Sequence, residues 1–287
     1  MIKSILVAVD DSLTSYSALD VAANLAALTS AKLKGLYVED VMRLVEWQPA
    51  ELIGAGLGLS SAVPSSRPTV EQLEIEKEFE KEGSRLKKLF TDSAKNIHFK
   101  GSFQVLRSKV DETIIEASKT VNLVVIGRRG KSYPLDSIEP GPVTENLLRH
   151  TTRPVLVVPA GGKLSNRILI AYDGSETSQR ALTAGAQFAE ILPSVIKVVC
   201  VGDDKHSSEK PLNEASEFLL AYNLNVNYVT ESGSNKPWKG IIEQAKAFDA
   251  GIIVIGAFGS NRIMEMIFGS TTREVLMQST CPVLLCR

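Results

Sequence analysis

The strongest constraint on this chain is that it says nearly the same thing twice. Ile5-Leu6-Val7-Ala8-Val9-Asp10-Asp11-Ser12 returns as Ile168-Leu169-Ile170-Ala171-Tyr172-Asp173-Gly174-Ser175. At the same offset Thr14 returns as Thr177, Ala18-Leu19 as Ala181-Leu182, Val38 as Val201 and Asp40 as Asp203. Further on, Val125-Ile126-Gly127 and Gly130 return as Val254-Ile255-Gly256 and Gly259, and Pro154-Val155-Leu156 as Pro282-Val283-Leu284. A repeat of about 130 to 160 residues is a duplicated domain rather than a short solenoid unit. The junction falls at Ala160-Gly161-Gly162-Lys163, so domains are expected over 1–160 and 165–287. The offset shrinks by about 34 residues in the later blocks, which places an insertion in the first half. Residues 41–73 carry it, with Gly54-Ala55-Gly56-Leu57-Gly58 and Pro64-Ser65-Ser66-Arg67-Pro68. That composition reads as a long surface loop with a short helix near 42–53, serving as a lid, a partner contact or a passive insertion.

Within each half, β-branched runs alternate with amphipathic stretches, the pattern of β/α units on a parallel sheet. The spacing predicts strands near 3–9, 32–38, 99–105, 122–126 and 155–158, and again near 166–172, 195–201, 225–230, 251–255 and 282–286. Helices are predicted near 14–29, 70–95, 110–119 and 143–150, then 177–192, 209–222, 238–247 and 271–278. Leu123-Val124-Val125-Ile126 is apolar without interruption, as a strand buried on both faces must be. The expected fold is α/β: two tandem doubly wound, five-stranded parallel sheets of Rossmann-like type. In such sheets a ligand sits beyond the carboxyl ends of the strands, where the strand order reverses.

Composition narrows the function classes. With 32 Lys+Arg against 33 Asp+Glu the net charge is −1, so no global cationic field gathers nucleic acid or an anionic membrane. Hydrophobic residues at 44% exclude a disordered chain. Three cysteines without a C-x-x-C pair suit a reducing compartment, each behaving as a small apolar residue. The first apolar run is short and ends in Asp10-Asp11, unlike a secretory signal, and apolar runs elsewhere are too short to span a membrane. A cytoplasmic protein is expected. His98, His150 and His206 form no metal-ligand spacing, so no structural metal is expected.

The strand ends of the second half carry the chemistry. Ala171, Tyr172 and Asp173 close its first strand, and a carboxylate there can accept from ribose hydroxyls. The backbone of Val201, after the second strand, can pair with a base edge. After the fourth strand come Gly256, Gly259, nine residues, and then Gly269-Ser270-Thr271-Thr272. Glycines let a phosphate approach the backbone, the helix opened at Gly269 presents free N–H groups, and the hydroxyls can help place a divalent cation. Taken singly, Asp173 and Ser175 can equally be helix caps and the glycines turn residues. Their convergence on one crevice favours binding.

The pattern strand-Asp-x-Ser-helix, then G-x2-G-x9-G-[ST], then a Pro-led apolar strand, resembles the universal stress protein family. It occurs twice, so the chain looks like a tandem member of that family. The resemblance implies an ATP site at Asp173, Val201, Gly256, Gly259, Gly269, Ser270 and Thr271, with Mg²⁺ as a further expectation. It also implies pairing through the last strand of each half, here Val155–Val158 against Val283–Cys286, an internal pseudo-dimer open to further homodimerisation. The first half departs from the pattern. Gly127 and Gly130 are followed by ten residues before Gly141, and Pro142 stands where Ser270 does, lacking both N–H and hydroxyl. Asp11 in place of Gly174 adds negative charge, while Arg128, Arg129 and Lys131 offer attraction by charge alone. Asp10, Val38, Gly127, Arg128, Gly130 and Gly141 are therefore weaker candidates.

Gly130-Lys131-Ser132 lacks the earlier glycine of a P-loop, because position 125 is Val125. There is no G-x-S-x-G elbow and no general base with a clear role, so any ATPase turnover is expected to be weak. The leading expectation is an ATP-binding stress-response regulator whose second domain holds the nucleotide. The rival is a non-nucleotide interaction scaffold, with residues 41–73 binding an unknown protein partner.

Overall fold

A computed structural model describes residues 2–45, 68–133, 139–202, 205–232, 236–257 and 269–287. The first half runs β1 (Ser4–Ala8), α1 (Leu13–Thr29), β2 (Lys32–Asp40), α2 (Val41–Val45), α3 (Val70–Ile97), β3 (Gly101–Ser108), α4 (Val110–Ser118), β4 (Leu123–Gly127), α5 (Pro142–His150) and β5 (Val155–Val158). The second runs β6 (Arg167–Ala171), α6 (Glu176–Ile191), β7 (Val195–Gly202), α7 (Lys205–Leu220), β8 (Asn225–Ser232), α8 (Pro237–Phe248), β9 (Ile252–Gly256), α9 (Ser270–Gln278) and β10 (Val283–Cys286).

The strands join in one ten-stranded sheet, ordered β3-β2-β1-β4-β5-β10-β9-β6-β7-β8. Each half is a parallel, doubly wound sheet of five strands, and the halves meet where β5 and β10 pair antiparallel, with Leu284 opposite Leu156 and Val283 opposite Val157. The expected internal pseudo-dimer is therefore a continuous sheet. Both Leu156 and Leu284 are fully buried, and burying such a side chain is worth roughly 1.5–3 kcal/mol. One apolar layer, with α1, α3, α6 and α7, covers one face across both halves, and a second layer, with α4, α5, α8 and α9, covers the other.

Local rules place the site-forming turns. In each half the Ser of Asp-x-Ser is the helix N-cap: Ser12 accepts from Ser15 N–H at 3.1 Å, and Ser175 accepts from Ser178 N–H at 3.2 Å. Gly174, between Asp173 and this cap, sits at φ +80°, a conformation that favours glycine. α3 starts from a capping box between Thr69 and Gln72. It has 28 residues against 16 for α7, so part of the extra length of the first half is helix rather than loop. Of the helix expected near 42–53, Val41–Val45 is observed and the remainder lies outside the described residues.

Two arginines cross the seam onto helix ends of the opposite half. Arg128 Nη1 donates to the carbonyls of Leu276, Met277 and Ser279 at 2.8–3.0 Å, at the C-terminus of α9. Arg287 Nη1 does the same for Arg149 and Thr151 at the end of α5. Unpaired carbonyls at a helix C-terminus need such donors. Among the described residues, no helix is long and apolar enough to cross a membrane.

Candidate functional site

The strand ends of each half surround one cavity. In the second half a cavity of about 280 Å³ is lined by Ala171, Tyr172, Asp173, Val201, Gly256, Gly269, Ser270, Thr271 and Thr272, nine of the ten residues singled out by sequence. The tenth, Gly259, lies outside the described residues. Sequence reading missed the apolar floor, formed by Val199, Ile241 and Ile255 with Pro237 at the first turn of α8. Helix periodicity alone could not say that Ile241 faces a crevice, because it packs with the core as well.

The nine residues do different jobs. Burial raises the Asp173 carboxyl, but hydrogen bonds from Ser175 and Ser178 outweigh it and hold the group below its ordinary range, so it stays ionised. Its Oδ1 accepts from Ser175 N–H at 3.0 Å. Tyr172 is 4% exposed and belongs to the core layer. Gly256 was expected to give a phosphate room. Its role here is close packing, since an added Cβ would stand 2.6 Å from the Thr177 carbonyl carbon and 2.7 Å from Ser178 N. Thr272 donates its hydroxyl to the Gly256 carbonyl at 3.3 Å, tying α9 to β9.

Gly269 differs from all of these. It is the N-cap of α9 at φ −55°, a conformation open to any residue, and it makes no side-chain cap. Among the described residues, a Cβ added there would meet only Thr272 Oγ1, at 3.9 Å. Neither backbone strain nor packing against these residues explains a glycine at this point. A glycine at this point would permit close approach to a helix N-terminus, where the dipole favours an anion.

The first half forms a cavity of about 310 Å³ lined by Asp10, Val38, Gly127, Gly130 and Gly141, among others. Arg128 is not brought to it. Its guanidinium is spent on the end of α9 across the seam, so the expectation that it attracts an anion to the crevice is corrected. Lys131 Nζ is paired with Glu78 at 2.8 Å and Glu82 at 3.2 Å. Burial raises the Asp11 carboxyl, but Arg85 and Tyr16 bind it and lower it further, so its charge is matched from α3.

The loop after β4 lies on the remaining polar groups. Lys131 N–H donates to Asp10 Oδ2 at 2.7 Å, Ser12 Oγ donates to the Arg129 carbonyl at 3.2 Å, and Thr14 Oγ1 donates to the same carbonyl. A Cβ at Gly141, the counterpart of Gly269, would meet Arg129 Cα at 3.3 Å and Gly130 N at 3.4 Å. The position before α5 is therefore filled by the loop after β4. Helix α3 adds a wall without counterpart among the residues lining the second cavity, with buried Phe79 and Glu82 beside Arg43 of α2.

An open doubly wound sheet, twice over, with a crevice at each switch point and a glycine-led helix beside it, defines a duplicated α/β protein of Rossmann-like type. The family model for the universal stress protein family matches residues 1–159 and again 165–287, and the chain belongs to that family. A universal stress protein of Synechocystis sp. is 26% identical over 302 aligned positions, covering 99% of this chain and 100% of its own. The Bacillus subtilis universal stress protein YxiE is 27% identical over 146 positions, 42% of this chain and 99% of its own. Among solved structures, a universal stress protein from Archaeoglobus fulgidus superposes with a TM-score of 0.74 at 21% identity, covering 99% of this chain and 98% of its own.

Proposed function

We propose that this protein is a cytoplasmic stress-response regulator that holds an adenine nucleotide, ATP with Mg²⁺ on its phosphates, in the second crevice. Asp173 receives the ribose hydroxyls, the Val201 backbone and the apolar floor receive the base, and the N-terminus of α9 receives the phosphates. Hydrolysis is slow or absent in this reading, since the sequence carries no nucleophile elbow and no general base with a clear role. The observation that carries the reading is Gly269, a glycine at an unstrained N-cap with room in front of it among the described residues.

The test is to denature freshly purified protein and quantify released nucleotide per chain. About one adenine nucleotide per chain is expected. Two would assign nucleotide to the first crevice as well. None, with no binding when Mg-ATP is added back, overturns the reading and moves the function to partner binding through the insertion.

A further inference from the structure

The two cavities share a floor and differ at the rim. Val38, Ile114 and Ile126 line the first in the places that Val201, Ile241 and Ile255 take in the second. A flat ring system accepted by one floor fits the other. The rim of the first cavity, however, satisfies itself. Asp10 Oδ2 is held by Lys131 N–H, the Ser12 and Thr14 hydroxyls are held by the Arg129 carbonyl, and Lys131 Nζ is held by Glu78 and Glu82. Pro142 removes an N–H from the start of α5, and Gly141 is packed under the loop.

A phosphate entering here would find the Gly141 N–H already donated to the Arg128 carbonyl at 2.8 Å. Of the cations Arg43, Lys131 and Arg129 that line the cavity, Arg43 and Lys131 are already paired with Glu78 and Glu82, while the Asp10 and Glu82 carboxylates repel the phosphate. Displacing the loop would break several charge-assisted hydrogen bonds at once. An uncharged ligand meets none of these costs, and the buried Phe79 of α3 gives it an additional apolar wall. We propose that the first crevice is a second, separate ligand site, selective for an uncharged purine nucleoside and closed to its phosphorylated forms. The choice of a purine rests on the reading of the second crevice given above. The exclusion of phosphate rests on the first crevice alone.

The test uses the full chain with labelled isoleucine methyl groups, followed by NMR while adenosine or Mg-ATP is added. The Ile114 methyl reports the first crevice and the Ile241 methyl the second. Adenosine is expected to move Ile114 with an affinity at least about tenfold tighter than ATP shows at the same methyl. Mg-ATP is expected to move Ile241. Val110→Trp, at a partly buried residue lining the first cavity, should abolish the Ile114 response and leave that of Ile241 intact. Equal responses of Ile114 to adenosine and ATP, or none to adenosine, overturn the proposal. A response of Ile114 to adenosine with no response of Ile241 to Mg-ATP supports this site while striking down the proposed function of the other.

Discussion

The two crevices descend from one repeated sequence pattern, yet they have opposite polar economies. In the second, the strand-end carboxylate Asp173 has local partners in Ser175 and Ser178, and the N-cap glycine of α9 faces space among the described residues. In the first, Asp10 is a buttress for the loop after β4, and the equivalent glycine is covered by that loop. The same residue types at the same strand ends thus make short local bonds in one half and brace a distant loop in the other. The difference teaches that a motif marks a place in the fold, while its chemistry depends on what else reaches that place.

The sharpest way to break this comparison is to substitute the two N-cap glycines. Gly269→Tyr should weaken Mg-ATP binding by about 100-fold with the denaturation midpoint unchanged, whereas Gly141→Tyr should leave ATP binding alone and cost about 1–3 kcal/mol of stability by forcing the loop away. Calorimetric titration and urea unfolding of both variants check this, and equal effects on binding would erase the distinction. Next in size is Arg128→Ala. If Arg128 caps α9 rather than serving a ligand, the variant loses about 1–3 kcal/mol in urea unfolding and keeps its nucleotide affinity.

The strand-end carboxylates should separate in the same manner. Asp173→Asn is expected to cost about tenfold in nucleotide affinity. Asp10→Asn is expected to cost about 1–2 kcal/mol of stability, through loss of the Oδ2 acceptor for the Lys131 N–H and of the charge that strengthens it, with no change in affinity. The smallest effect concerns acid. Hydrogen bonds from Arg43 and then Lys131 depress the Glu78 carboxyl to about 2. A depressed carboxylate contributes stability above its ordinary range near 4.5, and the contribution is lost as pH falls toward 2. Between these values the wild type should lose stability more steeply than Glu78→Gln, modestly, because both partners are partly exposed. Parallel pH profiles of the unfolding midpoint would show that the pairs do not hold α3 over the first crevice.

Much of the fold was legible in the chain because its signals are local. Strand runs such as Leu123–Ile126 and N-caps such as Ser12 and Ser175 depend on neighbours a few residues away, and the repeat shows each of them twice. The second crevice was legible for a related reason. Its candidate residues sit at strand ends, which parallel topology brings to one edge of the sheet. The first crevice was harder to read. Arg128 follows Gly127 directly and looks like an anion ligand by position, but its partners are carbonyls almost 150 residues away on the far side of the seam. Phe79 and Glu82 read as ordinary members of an amphipathic, charged helix, and nothing in their spacing indicates that α3 folds over a strand end.

The sequence by itself determined the duplication, the order of strands and helices within each half, and the edge of the sheet where the candidate site residues gather, because each follows from short-range periodicity and capping. Only the tertiary structure decided that Arg128 and Arg287 cap helices across the seam, and that the loop after β4 braces the first crevice against itself. Those outcomes depend on contacts between residues distant in the chain, where donors and acceptors compete for partners that no local pattern records.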